Sequence, residues 1–367
     1  MELPNDRLYQ IALSQVSGIG VRKMRSLLER FNQVEFLFHE SLDALRAIPE
    51  LSGVDLSEIK NKSTLLRAEQ ELNFVRDEAI DIISIIDQDY PKRLKHCSDA
   101  PALLFKKGNM RLNEERFIAI VGTRRATHYG REITEQIVEQ LKPYNAAIVS
   151  GLAIGIDGFA HKNASYHKLQ NIAVLAHGLD RVYPAAHSGL AAEMLQNGGL
   201  ISEYMTQTEP DRNHFPDRNR IVAGMVDAVI VVESRIQGGS MITAEIAHSY
   251  FRDVFAVPGK LTDQNSKGCN LLIKSQKAII YTGAKDLEYN LGWTKTKNAI
   301  SKQRQLFVDL SPIEESILNL LKEKGRIDLD TICTHLSDTS QNLSMHLFNL
   351  ELNGLIAVLP GKQYELK

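Results

Sequence analysis

Two short stretches constrain this chain more than any others. The first reads FIAIVGTRRATHYGREI over 117–133 and the second AAIVSGLAIGIDGFAH over 146–161. Each begins with an apolar, β-branched run of the kind that fits a strand buried on both faces, then turns through small residues into a helical pattern. Parallel strands deliver such turns to one edge of their sheet, the carboxyl edge, where open α/β sheets bind ligands. Helix N-termini carry unpaired N–H groups and a partial positive charge, so that edge favours an anion. Further strands are expected at 172–176, 200–202, 228–233 and 254–257. Helices are expected at 128–141, 156–168, 189–196, 218–225 and 242–251. Strands and helices alternating at these lengths predict a doubly wound parallel α/β sheet.

The flanks differ from this centre. The chain opens with two amphipathic patterns, LYQIALSQV and VRKMRSLLERF, joined by Ser17-Gly18-Ile19-Gly20. This is the form of a helix-hairpin-helix, whose turn can offer backbone N–H groups to a phosphate beside Arg22, Lys23 and Arg25. The same glycines equally suit a turn that only closes two packed helices. A strand-like run, DIISIID, then leads into a proline-containing connector. The expected organisation is a helical domain over 1–78, an α/β domain over 79–284, a polar linker over 285–304 and a last domain over 305–367. That last domain reads as three helices and a short hairpin, the order of a winged helix. Its third helix holds Gln341, Asn342, Asn349 and Asn353 but no Lys or Arg, and the domain is acidic overall. A phosphate-tracking surface needs the opposite balance, so this module is expected to bind protein.

Across all 367 residues the formal net charge is −2, so affinity for a polyanion must come from a local cluster of cations. No apolar run approaches a membrane span and no signal peptide is visible, which makes a cytoplasmic protein the expectation. Cys97, Cys269 and Cys333 fit no ligand spacing and read as reduced thiols.

The cluster is in the segment RNHFPDRNRI, 212–221, which supplies Arg212, Arg218, Arg220 and Phe215. Guanidinium forks suit phosphate, and an extended Phe215 before Pro216 can project its ring to stack a base. Alternatively the ring is core and the arginines pair internally with Asp211, Asp217 and Glu233. The first turn adds Gly122, Thr123, Arg124 and Arg125, with Arg124 either clamping an anion or bridging to Asp157. Asp157 and His161, one helical turn apart, are placed to pair structurally. The turn Gly238-Gly239-Ser240 can seat a further phosphate, and Lys162 and Lys260 extend the candidate surface. A dinucleotide fingerprint and a Walker loop are both missing, so no cofactor or metal is expected. The rival reading is enzymatic: Gly238, Gly239 and Glu245 partly fit the motif of nucleoside-monophosphate phosphoribohydrolases, with Glu245 as the acting carboxylate.

Taken together, VGTRRATHYG, SGLAIGIDGFAH, IAVLAHGLDRVYP, HFPDRNRIVAG and VFAVPG resemble the DNA-processing protein A family, also called Smf, of bacterial natural transformation. The resemblance implies an extended Rossmann-like fold between a helix-hairpin-helix or SAM-like domain and a winged helix. It implies a dimer that binds and protects single-stranded DNA and loads the RecA recombinase onto it, with no catalytic turnover. Gly122, Thr123 and Arg124 match the family's phosphate contact, and Arg212 falls at its basic position before the Phe. Phe215, Arg218, Asn219 and Arg220 match its F-P-x-R-N-R loop. After Tyr183-Pro184 the chain departs from the pattern with Ala185-Ala186-His187, which weakens any contact from that turn. The dimer contact is implied near 241–251 and 271–273.

Overall fold

In the computed structural model, the residues described are 6–295, 310–336, 338–352, 355–359 and 363–366. They fall into two compact units, 1–296 and 297–367.

The first unit is built on nine strands: β1 Ile80–Ser84, β2 Leu103–Lys107, β3 Phe117–Val121, β4 Ala147–Ser150, β5 Asn171–Leu175, β6 Gly198–Ser202, β7 Ala228–Val231, β8 Asp253–Ala256 and β9 Ile279–Ile280. Their order in the sheet is β1-β2-β6-β5-β4-β3-β7-β8-β9. From β6 to β9 every neighbouring pair is parallel, whereas β1 and β2 join antiparallel at the β6 edge. The expected connector before the α/β domain therefore extends the sheet itself.

Alternation along the central strands shows why these runs are apolar throughout. Phe117, Ala119 and Val121 enter one core, while Ile118 and Ile120 enter another on the opposite face. Helices His128–Leu141 and Ile156–Tyr166 cover the second face through Ile137, Leu141, Ile156 and Ala160. Helices His214–Gly224 and Gly239–Ser249 cover the first through Ile221, Val222, Ala244 and Ala247. The N-terminal helices, among them Asp6–Ser14, Val21–Phe31 and Lys62–Asp77, pack their Ile11, Leu13, Leu27 and Leu28 into this same first core. Buried Glu71, accepting from the Thr206 N–H at 2.9 Å, ties the third of these helices to the loop after β6.

Two departures from the sequence expectation matter. Residues 214–217, expected in an extended loop, form the first turn of helix His214–Gly224. The first four helical N–H groups need no intrahelical acceptor, so Pro216 is tolerated there and its restraint on Phe215 is overridden. Residues 285–291, expected in a linker, belong to helix Ala284–Leu291, whose Leu287 is fully buried against the sheet. The rest of that expected linker, from 296 to 304, lies outside the described residues.

The second unit holds helices Pro312–Lys324, Leu329–Leu336 and Ser340–Leu352 and a small sheet, β10 Ile327–Asp328, β11 Ile356–Leu359 and β12 Gln363–Leu366. Ser311 and Glu314 form a capping box that starts its first helix. Ile317, Ile332, Leu343, Leu347 and Ile356 make its core, the winged-helix arrangement read from the sequence.

Candidate nucleic-acid interface

The order in which strands are added reverses between β3 and β7, which run parallel: the strands after β3 step away on one side, and those from β7 onward lie on the other. Such a switch point leaves a crevice beyond the carboxyl ends of the strands. Here it is a cleft of about 750 Å³, reached by Gly122 and Thr123 after β3, Gly151 and Ala153 after β4, and Ser234 and Arg235 after β7.

The two sequence-defined turns interlock at its floor. A Cβ on Gly122 would lie 2.5 Å from Cγ1 of Ile156, and one on Gly155, whose φ is +93°, would lie 2.3 Å from the Thr123 carbonyl oxygen. Only glycine fits either position. Between them Leu152, fully buried, takes a left-handed φ of 56°. Its N–H donates to Nε2 of His161 at 3.3 Å, and its carbonyl meets Nδ1 of His187 at 2.9 Å. Full burial drives the His161 pKa down to about 4, leaving the ring neutral and Nε2 free to accept. Nδ1 then carries the proton shared with Oδ1 of Asn171 at 2.5 Å. The expected Asp157–His161 pair therefore does not form; His161 braces the turn instead.

Asp157 accepts from the Gly151 N–H at 3.1 Å, and its burial raises the carboxyl pKa above the ordinary value while Arg218 opposes that shift. It is the one carboxylate lining the cleft among the described residues, against Arg124, Arg218, Arg235 and Lys267. The walls are thus net positive.

The structure redistributes the expected anion seats. The N-terminus of helix His128–Leu141 is taken by an internal carboxylate. Glu233, fully buried, accepts from the Thr127 N–H at 2.9 Å and from the Thr127 hydroxyl. Helix Ile156–Tyr166 has buried Asp157 in its first turn. Helix Gly239–Ser249 has neither a side-chain cap nor an acidic residue in its first turn, and Gly238, Gly239 and Ser240 line the cleft. Gly238 and Met241 spend their N–H groups on the Arg235 and Gly238 carbonyls, and the Gly239 and Ser240 amides remain available to an external anion.

Of the residues expected in the site, the fold gathers Gly122, Thr123, Arg124, Phe215, Arg218, Asn219, Gly238, Gly239 and Ser240 around the cleft. Arg124 is exposed and holds its guanidinium 5.0 Å from the Phe215 ring centre, and the expected alternative, a bridge to Asp157, is not made. Arg212 is exposed two residues before the helix that carries Phe215. Among the described residues neither Arg124 nor Arg212 is held in an ion pair. Arg212, Arg125, Lys162 and Lys260 are exposed but stand outside the lining.

Two arginines depart from their expected role. Arg218 is buried at the cleft base and donates to the carbonyls of Gly151, at 2.7 Å, and Val174. Arg220 points inward, paired with Glu203 and donating to the Asp99 carbonyl. Both serve the scaffold because buried carbonyls and a buried carboxylate claim their N–H groups. The sequence puts Lys267 near the sheet edge with Lys260 and Lys274 but assigns neither it nor Arg235 to the site; Lys267 opens helix Lys267–Lys274, and the folding of that helix against the β7 loop brings it to the cleft. Glu245, the carboxylate of the enzymatic alternative, lies outside the lining, exposed and 3.4 Å from Lys277.

In the N-terminal hairpin, Lys23 donates to the Ser52 carbonyl and Arg25 to the carbonyls of Lys95 and Cys97. A Cβ on Gly18 would meet the Gly53 carbonyl at 3.5 Å, so the two glycine turns pack on each other. In the third helix of the second unit, Asn342, Met345, Phe348 and Asn349 are exposed. Asn353 lies outside the described residues, and the side chain of Gln341 is not described.

With this geometry in hand, the chain can be compared with known proteins. Residues 81–292 match the family described as DNA recombination-mediator protein A, and residues 303–362 match the winged-helix domain of the same family. This chain belongs to that family. It is 33% identical to Protein Smf of Escherichia coli over 83% of this chain and 85% of that protein. It is 34% identical to DNA processing protein DprA of Streptococcus pneumoniae over 77% of this chain and 97% of that protein. The crystal structure of DNA processing protein A from Streptococcus pneumoniae superposes with a TM-score of 0.64, covering 79% of this chain and 99% of that one at 33% identity. A structure of the Helicobacter pylori protein, concerned with its single-stranded DNA binding mode, superposes with a TM-score of 0.53 at 29% identity, covering 59% of this chain and 97% of that one. The family is one of DNA recombination mediators, and its fold is the mixed α/β sheet with a terminal winged helix expected from the sequence. Among the described residues no helix is long and apolar enough to cross a membrane.

Proposed function

We propose that this protein binds single-stranded DNA in the cleft at the β3/β7 switch point. The observation that carries this is the meeting of exposed Arg124, the Phe215 ring and the uncapped N-terminus at Gly238–Gly239–Ser240 around one positively lined opening. Arg124 and Arg212 contact phosphates, the Gly239 and Ser240 amides seat a further one, and Phe215 stacks a base. Stacking and charge without base-edge readout suit a strand of any sequence. The Helicobacter pylori relative, studied for its single-stranded DNA binding, supports the reading.

We further propose, on the family resemblance, that the bound strand is protected and handed to the RecA recombinase by a homodimer in the cytoplasm. Phe251 and Leu271, 97% and 40% exposed, lie within the two segments implied for the dimer contact and support it. The winged-helix unit serves as a protein-binding module, since its third helix shows Met345 and Phe348 to solvent. The enzymatic alternative loses its support because Glu245 stands outside the cleft lining, beside Lys277.

Titration of oligothymidylate across a salt series tests the reading. Arg124→Ala and Arg212→Ala should each weaken binding and flatten the log–log salt slope by about 0.7, one single-strand phosphate. Unchanged affinity and slope in both variants would remove the cleft as the binding site.

A further inference from the structure

Phe215 has a second planar neighbour, at the end of the stretch IAVLAHGLDRVYP, to which the sequence assigned no contact. Tyr183, in the loop after β5, has its ring centre 6.3 Å from that of Phe215 and tilted by 53°. It is 48% exposed, and among the described residues its hydroxyl has no partner. A large aromatic left open in this way gains little from packing, so burial does not account for its placement.

The loop that carries it is held on both sides. Before it, Arg181 pairs with Asp180 at 3.0 Å and with Glu209 at 3.2 Å. After it, Nδ1 of His187 meets the Leu152 carbonyl at 2.9 Å, and the His187 ring fills the space where a Cβ on Gly158 would lie 2.6 Å from Cε1. Tyr183 is therefore presented from a braced turn, one that shares its anchor, Leu152, with the cleft floor.

We propose that Tyr183 is a second stacking surface for the bound strand, taking the base next to the one on Phe215. The proposal rests on the single-stranded DNA reading above. Two rings tilted by 53° cannot sandwich one base, so each offers a face to its own. Arg124 lies 5.0 Å from the Phe215 ring centre and Tyr183 6.3 Å from it, so the cation and the second ring are both neighbours of the first. A strand whose phosphate is clamped by Arg124 then passes Phe215 and reaches Tyr183 next. This restores a contact from the turn where Ala185-Ala186-His187 departs from the family pattern.

The test compares oligothymidylate affinity of the full chain with that of Tyr183→Ala, Tyr183→Phe, Tyr183→Leu and Phe215→Ala, each at several salt concentrations. Tyr183→Ala and Tyr183→Leu should weaken binding about tenfold, about 1.4 kcal/mol, with the salt slope unchanged because no cation is lost. Tyr183→Phe should stay within about twofold of the parent, since it keeps the ring. Oligonucleotides with one abasic position should localise the effect: the position that Tyr183→Ala makes indifferent must neighbour the one that Phe215→Ala makes indifferent. Parent-like binding by Tyr183→Ala, with Phe215→Ala weakened, overturns the inference and leaves the cleft reading standing. Equal losses in Tyr183→Phe and Tyr183→Ala also overturn it, because the hydroxyl and not the ring would be the contact. Full affinity in both Phe215→Ala and Arg124→Ala would instead bring down the cleft reading itself.

Discussion

The segment from Arg212 to Arg220 divides into two halves that use the same side chain in opposite ways. In the outer half Arg212 is exposed, and Phe215 stands at the cleft wall under the Arg124 guanidinium. In the inner half Arg218 and Arg220 spend their N–H groups on the Gly151, Val174 and Asp99 carbonyls and on Glu203. The difference comes from the helix. Phe215 and Asn219 are four residues apart and so share the face toward the cleft, whereas Arg218 is buried at its base and Arg220 turns away to Glu203. Counting guanidinium groups in a sequence is thus a poor count of phosphates bound. The inner pair builds the platform on which the outer pair works.

The largest effect should come from breaking the inner half. Arg220→Ala strips the counter-ion from a carboxylate that is mostly buried, and the loss should be of order 3–5 kcal/mol, read by urea denaturation. Burial pushes the Glu203 pKa up to about 7, so the folded variant takes a proton more readily than the unfolded chain. Arg220 opposes that rise, so its removal lifts the carboxyl further, and the deficit should be greatest at alkaline pH and shrink as pH falls towards 7. If Arg220→Ala instead keeps its stability and flattens the salt slope of DNA binding, the inner and outer halves do not differ in kind.

A second effect bears on the floor beneath both halves. Neutral His161 accepts from the Leu152 N–H, and its pKa lies near 4 when folded against 6.5 when unfolded. With the folded value depressed, the contribution is fully present above pH 6.5 and is lost as pH falls towards 4. Its size is about 3 kcal/mol. Denaturation from pH 7 to pH 4 should show this slope, and His161→Gln should remove most of it. An identical slope in the variant would assign the acid sensitivity to other groups.

The smallest effect is the expected null at Glu245. Glu245→Gln should leave oligothymidylate affinity within about twofold, because the residue is exposed and stands outside the cleft lining. Release of free base from nucleoside monophosphates, abolished by this substitution, would restore the enzymatic alternative.

Much of the fold was legible because strand burial on two faces leaves a plain mark. The runs at 117–121, 147–149 and 228–231 are apolar at every position, and no amphipathic helix or one-sided sheet needs that. The start of helix His128–Leu141 was equally plain, since Thr127 is a cap whose hydroxyl accepts from the Gly130 N–H at 3.1 Å. The run DIISIID of β1 reads as a strand, but its antiparallel pairing with β2 does not, because β2 sits in a proline-containing stretch that looks like a connector until a partner strand is known.

For the site, the sequence by itself determined which turns could approach a phosphate and which ring could meet a base. Glycine at 122 and 155, arginine at 124 and 212 and phenylalanine at 215 are local facts, fixed by chain geometry and side-chain chemistry. Only the tertiary structure decided which helix N-terminus stays open and which cations stay free. Glu233 reaches Thr127 across 106 positions, and Glu203 reaches Arg220 across 17. Both claims are settled by long-range packing: a buried carboxylate must find donors wherever the fold supplies them, and no local pattern says where that is.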